Sequence, residues 1–275
     1  MKLVWIVLLF VFGIITGCND AIEATSSPNN ATSSEQPIVS PKPARATDGL
    51  IVLYSFNKGL NDNVVNDTSG YLTPQDLFIR DTSLVTWMDG GLQINSPVEI
   101  VTGDAVNGTV TLPRQIKLAV RANDAVSWEA WIKTANLSQT GPAAIFSYSD
   151  YSSFKNILVG QDGGEYTVHF TTTLGGTDLA TQTNAVTTSL THLVVTWSSV
   201  ADLRLYINGN LAASVPCSGF ANGSWQDLPI RVGHEIDPNS PTIINNWLGE
   251  IYLIAMYDRV LTDEEILNNY WVGVQ

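Results

Sequence analysis

The stretch that decides the fold class runs from residue 192 to residue 215: His192-Leu193-Val194-Val195-Thr196-Trp197-Ser198-Ser199-Val200-Ala201-Asp202-Leu203-Arg204-Leu205-Tyr206-Ile207-Asn208-Gly209-Asn210-Leu211-Ala212-Ala213-Ser214-Val215. Leu193, Val195 and Trp197 fall on one side of an extended chain and Val194, Thr196 and Ser198 on the other. Leu203, Leu205 and Ile207 alternate in the same way with Arg204, Tyr206 and Asn208. A period of two is the mark of a strand with one face in a core. Asn208-Gly209 tolerates the positive φ angles of a two-residue hairpin turn, and Leu211 to Val215 supplies the returning strand.

The same texture extends outward from Leu50: short apolar runs separated by Gly, Asn, Asp and Ser. Ile251, Leu253, Ala255 and Tyr257 alternate with Tyr252, Ile254, Met256 and Asp258, a strand apolar on both faces and therefore expected at the centre of its sheet. One helix is predicted after it. Thr262 and Glu265 have capping-box spacing, Asp263 and Glu264 suit the positive end of the helix dipole, and Ile266, Leu267 and Tyr270 give it an apolar side. About a dozen strands with one short helix near the C-terminal end predict an all-β fold, a two-sheet antiparallel jelly-roll sandwich, with a closed barrel as the alternative.

The first residues read differently. Lys2 is followed by the apolar run Leu3 to Phe12 and then by Gly13, Ile14, Ile15, Thr16, Gly17 and Cys18, the order of an export signal. Ile15-Thr16-Gly17-Cys18 resembles the bacterial lipobox, which implies cleavage before Cys18 and lipidation of that cysteine, the one predicted attachment to a membrane. Residues 1–17 are thus expected to be a lipoprotein signal peptide. Residues 18–47, rich in Ser, Thr and Pro with almost nothing to bury, are expected to be a lipidated N-terminus and disordered tether. Residues 48–275 form the predicted domain, in an exported protein held at the cell envelope, on its periplasmic or surface face. The sequence leaves the inner or outer membrane open. Cys217 has no partner for an internal disulfide once Cys18 is lipidated, and is read as a small buried residue.

Composition narrows the partners. Hydrophobic residues at 44% against 14% charged support a substantial core and exclude disorder of the whole chain. Lys plus Arg number 13 against 26 Asp plus Glu, a formal net charge of −13, which argues against nucleic acid and against electrostatic adhesion to anionic lipid.

Four stretches resemble the laminin-G-like domains of the concanavalin A-like lectin/glucanase superfamily: Leu53-Tyr54-Ser55-Phe56 with Asp67-Thr68-Ser69-Gly70; Ser127 to Lys133; His192 to Trp197 with Leu205 to Gly209; and Gly249-Glu250-Ile251 through Tyr257-Asp258-Arg259-Val260-Leu261 to Glu265-Ile266. The resemblance implies a jelly-roll sandwich used to recognise carbohydrate, protein or matrix, often with one structural Ca²⁺. Many relatives carry Asp and Glu shortly after the Gly-x-Ile of the last strand; Tyr252 and Leu253 stand here instead, which removes a frequent metal ligand.

Glycosidases of this superfamily carry paired carboxylates on one strand face, because retaining hydrolysis needs them about 5–5.5 Å apart. Glu129, the only acid of its strand, shares a face with Ser127 and Trp131 and is expected to be a hydrogen-bonded framework residue. His169, His192 and His234 lack zinc-ligand spacing. The chain is therefore not expected to be an enzyme. Sugar binding calls for an aromatic platform flanked by amides and acids: Trp225, Trp247 with Asn246, and the cluster Tyr148, Asp150 and Tyr151 are the candidates. Candidate cation ligands are Asp62 and Asp67 in an Asn-rich loop, and the pair Glu235 and Asp237. The predicted function is a surface-anchored, non-catalytic recognition module for glycan or a surface protein. The alternatives are a structural envelope protein and a divergent glycoside hydrolase.

Overall fold

The computed structural model describes residues 44–57, 62–151 and 154–274. The chain divides into two units, Met1–Pro41 and Lys42–Gln275, and every described residue belongs to the second. The predicted leader and Cys18 lie outside the described residues.

The period-two segments assemble into two large antiparallel sheets. An eight-stranded sheet runs in the order Asn210–Val215, Ala201–Ile207, Thr191–Ser198, Ala125–Thr134, Gly249–Tyr257, Gly91–Ile94 and Val85–Met88, with Leu50–Tyr54 also pairing to Gly249–Tyr257. A nine-stranded sheet runs Gly175–Ala180, Glu165–Thr172, Phe154–Asp162, Ala143–Tyr151, Ile230–Val232, Ile100–Asp104, Leu77–Ile79 and Val64–Val65, with Thr109–Val110 on Ile100–Asp104. Both sheets have open edges, so the molecule is a sandwich and not a closed barrel. The strand Gly249–Tyr257 is central, as its two apolar faces predict. In the hairpin, Asn208 and Gly209 take φ of 51° and 79°, the pair of positive values that a tight turn between twisted strands requires.

Between the sheets Trp128 stacks on Phe146 at 5.1 Å and Phe170 meets Trp197 at 4.6 Å. Each ring belongs to the opposite sheet from its partner, and burying a phenylalanine side chain contributes on the order of 3 kcal/mol. Glu165–Thr172 alternates strictly between half-buried and buried positions, since only its inner face meets this core. Thr191–Ser198 is buried at every position.

The outer face of the first sheet is covered as well. Helix Asp263–Val272 carries the predicted capping box, Thr262 accepting from the Glu265 amide and Glu265 reaching back to the Thr262 amide. Its Ile266 packs with Trp131, Val194, Tyr206, Leu253 and Tyr257 in a second, smaller core. Glu129 lies fully buried under this helix. Its carboxylate accepts from Arg45, from His192 Nε2 at 3.0 Å, from Asn269 Nδ2 at 2.7 Å and from the Tyr257 hydroxyl at 3.2 Å. Arg45 also donates to the Gly273 carbonyl, and the Ala46 amide donates to Asn269 Oδ1 at 2.9 Å. Folded structure therefore reaches Arg45, a few residues before the predicted start at 48.

A second helix, Arg114–Asn123, corrects the expectation of one. It buries Ile116, Ala119 and Val120 at i, i+3 and i+4 spacing, too short a run to stand out against the strand that follows at Ala125. No helix among the described residues is long and apolar enough to cross a membrane.

Candidate functional site

Ile230-Arg231-Val232 is a three-residue strand whose alternation sends Ile230 and Val232 into the core and Arg231 to the opposite face of the nine-stranded sheet. Arg231 is nevertheless only 4% exposed, because it forms the floor of a cleft of about 690 Å³. Its Nε donates to the Ser149 carbonyl at 3.3 Å, and Nη1 stands 3.3 Å from Glu99 Oε1 and 3.4 Å from His234 Nε2. Nη2 faces Asp150 Oδ1 at 3.6 Å. Glu99 is held from its other side by Arg80 Nε at 2.6 Å. Apolar contacts come from Leu84, Val98, Ile236 and Ile243, and the segment 237–241 forms one wall.

His234 supports this floor from beneath. Burial, reinforced by the positive charge of Arg231, pushes its imidazole down to about 4, so the ring is neutral at neutral pH. Nδ1 contacts the Val232 carbonyl at 3.0 Å and must carry the proton. Nε2 is then an acceptor turned toward Arg231. The guanidinium is thereby pinned by oxygen and nitrogen acceptors before any ligand arrives, which leaves Nη2, beside Asp150, as its donor toward the cleft.

Of the residues predicted from sequence, the structure brings Asp150 and Asp237 to this cleft. Asp237 Oδ1 accepts from the Asn239 amide at 2.7 Å and shapes the wall. The platform role of Trp225 and Trp247 is corrected: they are 1% and 0% exposed, and their indole N–H groups are used internally, on the Thr171 carbonyl at 2.9 Å and Gln161 Oε1 at 3.1 Å. Tyr148 is equally a core residue, edge-on to Trp225 with its hydroxyl on the Pro113 carbonyl at 3.2 Å. Asn246 is half-buried and bridges Ala144. The side chain of Tyr151 lies outside the described residues.

The candidate cation ligands Asp67, Glu235 and Asp237 are engaged by groups of the protein itself. Asp67 accepts from three backbone amides, Leu53 at 3.1 Å, Ser69 at 3.0 Å and Gln75 at 3.0 Å, which makes its carboxylate the organiser of the first loop. Asp62 contributes its backbone carbonyl to the Trp87 indole at 2.9 Å. Glu235 is buried with Lys155 Nζ at 3.3 Å and Asn245 Nδ2 at 2.8 Å, so a cation already faces it. Among the described residues no three His, Cys, Asp or Glu side chains converge as a metal set. Cys217 is buried, and desolvation raises its thiol, as suits an inert packing residue.

Sequence reading missed Arg80, Glu99 and Arg231. The available signal was a charged residue in the middle of the apolar run Leu228-Pro229-Ile230-Arg231-Val232, followed by the proline-bounded turn Pro238-Asn239-Ser240-Pro241.

Two antiparallel sheets packed as a sandwich, with a polar cleft on an outer face, define an all-β protein of the jelly-roll class. The family model described as the concanavalin A-like lectin/glucanases superfamily matches residues 104–267, and the chain belongs to that superfamily. Among solved structures it is similar to a Trypanosoma rangeli sialidase in complex with 2,3-difluoro-KDN, at 15% identity and a TM-score of 0.57, covering 81% of this chain and 32% of that one. It is also similar to the receptor binding domain of botulinum neurotoxin C/D mosaic serotype, at 18% identity and a TM-score of 0.58, covering 83% of this chain and 52% of that one. The chain thus spans about a third of the sialidase and about half of the toxin domain, and at these identities the likeness is one of fold. No curated protein matches the chain in sequence.

Proposed function

We propose that the domain is a non-catalytic recognition module that takes a carbohydrate in the cleft over Arg231. The observation that carries this reading is the buried guanidinium itself, fixed among Glu99, His234 and the Ser149 carbonyl, with Nη2 toward the Asp150 carboxylate at the half-exposed side of the cleft. A sugar hydroxyl can accept from Nη2 while its neighbour donates to the Asp150 carboxylate, and Leu84 and Ile243 receive the C–H faces that an aromatic ring would otherwise cover. Two arginines line the cleft against the four acids Asp81, Glu99, Asp150 and Asp237, so a neutral sugar suits it better than an acidic one. Glu99 is engaged by both arginines, which favours binding over proton transfer. A receptor binding domain of the same fold is consistent with a recognition role. Export and anchoring through lipid at Cys18, with placement at the cell envelope, belong to the same proposal and rest on the residues Lys2 to Cys18.

A glycan-array screen of the full chain tests it. Saturable binding to neutral glycans, reduced at least tenfold in Asp150→Asn with unchanged thermal unfolding, is the expected result. Silence across the array, or binding indifferent to Asp150→Asn and Arg231→Lys, would overturn the carbohydrate reading in favour of a protein ligand or a structural role.

A further inference from the structure

Each of the two helices turns one face to solvent, and the two faces are opposite in charge. In Arg114–Asn123 the buried positions Ile116, Ala119 and Val120 pack into the core between the sheets, which sends exposed Arg114 and Leu118 and half-buried Arg121 outward at i, i+4 and i+7, on one stripe. Leu118 is 48% exposed. Helix Asp263–Val272 packs Ile266 into the smaller core on the outer face of the first sheet, and its outward stripe is Glu264, Leu267 and Trp271, at i, i+3 and i+7. Leu267 is 41% and Trp271 67% exposed.

Arg114–Asn123 carries Arg114, Lys117 and Arg121 and no acid, whereas Asp263–Val272 carries Asp263, Glu264 and Glu265 and no base. Lys117 is engaged by Asp227 at 2.7 Å and Glu265 by Arg259 at 2.6 Å, and Asp263 accepts from the Tyr206 hydroxyl at 2.9 Å. Arg121 gives Nε and Nη2 to Asn222 Oδ1 at 3.0 and 2.6 Å, which holds its guanidinium by one edge. Among the described residues the side chains of Arg114 and Glu264 have no ion-pair partner. The two stripes match when laid side by side. The rise from Arg114 to Arg121 equals that from Glu264 to Trp271, about 10 Å, and a leucine stands between the ends of each. Leu118 then meets Leu267, while one arginine meets the Glu264 carboxylate and the other the face of the Trp271 ring. The stripes are rooted in different cores of one molecule, so the counterpart of each comes from a second copy. A net charge of −13 makes whole chains repel, and the contact that opposes this repulsion sets an acid-free helix against a base-free one.

We infer that the two stripes form a head-to-tail contact between copies of this chain, the face of Arg114, Leu118 and Arg121 in one copy seated on the face of Glu264, Leu267 and Trp271 in the next. The contact uses different surfaces on its two sides, so a dimer leaves one of each unused and association continues into longer chains or closed rings. One pair of helices about 15 Å long buries a small area, so the association is weak and reversible. It goes beyond the carbohydrate reading and does not involve the cleft over Arg231.

Sedimentation velocity of the full-length chain in mild detergent, over a rising concentration series, tests it. Expected is a weight-average mass that climbs to about twice the monomer and beyond, while Leu118→Glu and Trp271→Glu each stay monomeric with unchanged thermal unfolding. Each variant keeps one intact face, so an equimolar mixture of the two regains association and stops at the dimer. If a glutamate shifts thermal unfolding, Leu118→Ser and Trp271→Ser take its place. A wild type that is monomeric at every concentration, variants that associate as the wild type does, or a mixture that stays monomeric overturns the contact.

Discussion

At Glu129 burial and charge oppose one another within a single side chain. Burial alone would raise its carboxyl, yet the hydrogen bond and charge of His192, with the guanidinium of Arg45, hold it at about 2. Glu129→Gln removes the charge and leaves Arg45 facing a neutral amide under the helix. Because an unpaired buried charge is worse than no charge, the variant should lose about 3–5 kcal/mol in urea unfolding, and Arg45→Met in the same chain should restore part of it. His234 sets a second titration. Its folded value of about 4 lies below the unfolded value of about 6.5, so between those pH values the unfolded chain binds a proton that the native one refuses. That contribution is complete above about pH 6.5 and is lost as pH falls toward 4, on the order of 3 kcal/mol. Stability measured against pH should show this slope in the wild type and lose it in His234→Asn. Glu129 adds a separate loss below about pH 4.5, where the unfolded carboxyl begins to protonate first.

At the scale of elements, local signals were legible wherever the chemistry was local. The hairpin at Asn208-Gly209 and the capping box at Thr262 depend on residues adjacent in sequence, and both stand as read. Thr262→Ala should cost about 1 kcal/mol, measurable by thermal unfolding, with the helix frayed at its first turn in hydrogen exchange. The tryptophans misled for a physical reason. Asn222-Gly223-Ser224 before Trp225 and Asn245-Asn246 before Trp247 look like the polar surroundings of an exposed ring. They are instead the turns that steer each ring inward, where Thr171 and Gln161 accept its N–H. Helix Arg114–Asn123 was hidden because its buried apolar positions, Ile116, Ala119 and Val120, make only one repeat of the helical period and no capping box marks its start.

For the whole molecule, the sandwich was readable because alternation repeats in every strand, whereas the cleft was not. Arg80 stands beyond Leu77–Ile79, Glu99 just before Ile100–Asp104, Asp150 at the end of Ala143–Tyr151 and Arg231 in a strand of its own. Only sheet order makes them neighbours, and sheet order is not a periodicity. The Arg45 latch was likewise invisible, since it joins the start of the folded unit to helix residues at its far end in sequence. Arg45→Ala should leave the sandwich folded while speeding amide hydrogen exchange over residues 44–49, read by mass spectrometry of the exchanged chain. The latch also determines where a mechanical load would be felt. A pull along the incoming chain reaches Arg45 and passes through its guanidinium to Glu129, which sits on Ala125–Thr134 with hydrogen-bonded strands on both sides. Force applied at this end is therefore divided between that side-chain latch, backed by three strands, and the covalent path into Leu50–Tyr54, a strand that pairs with Gly249–Tyr257 alone.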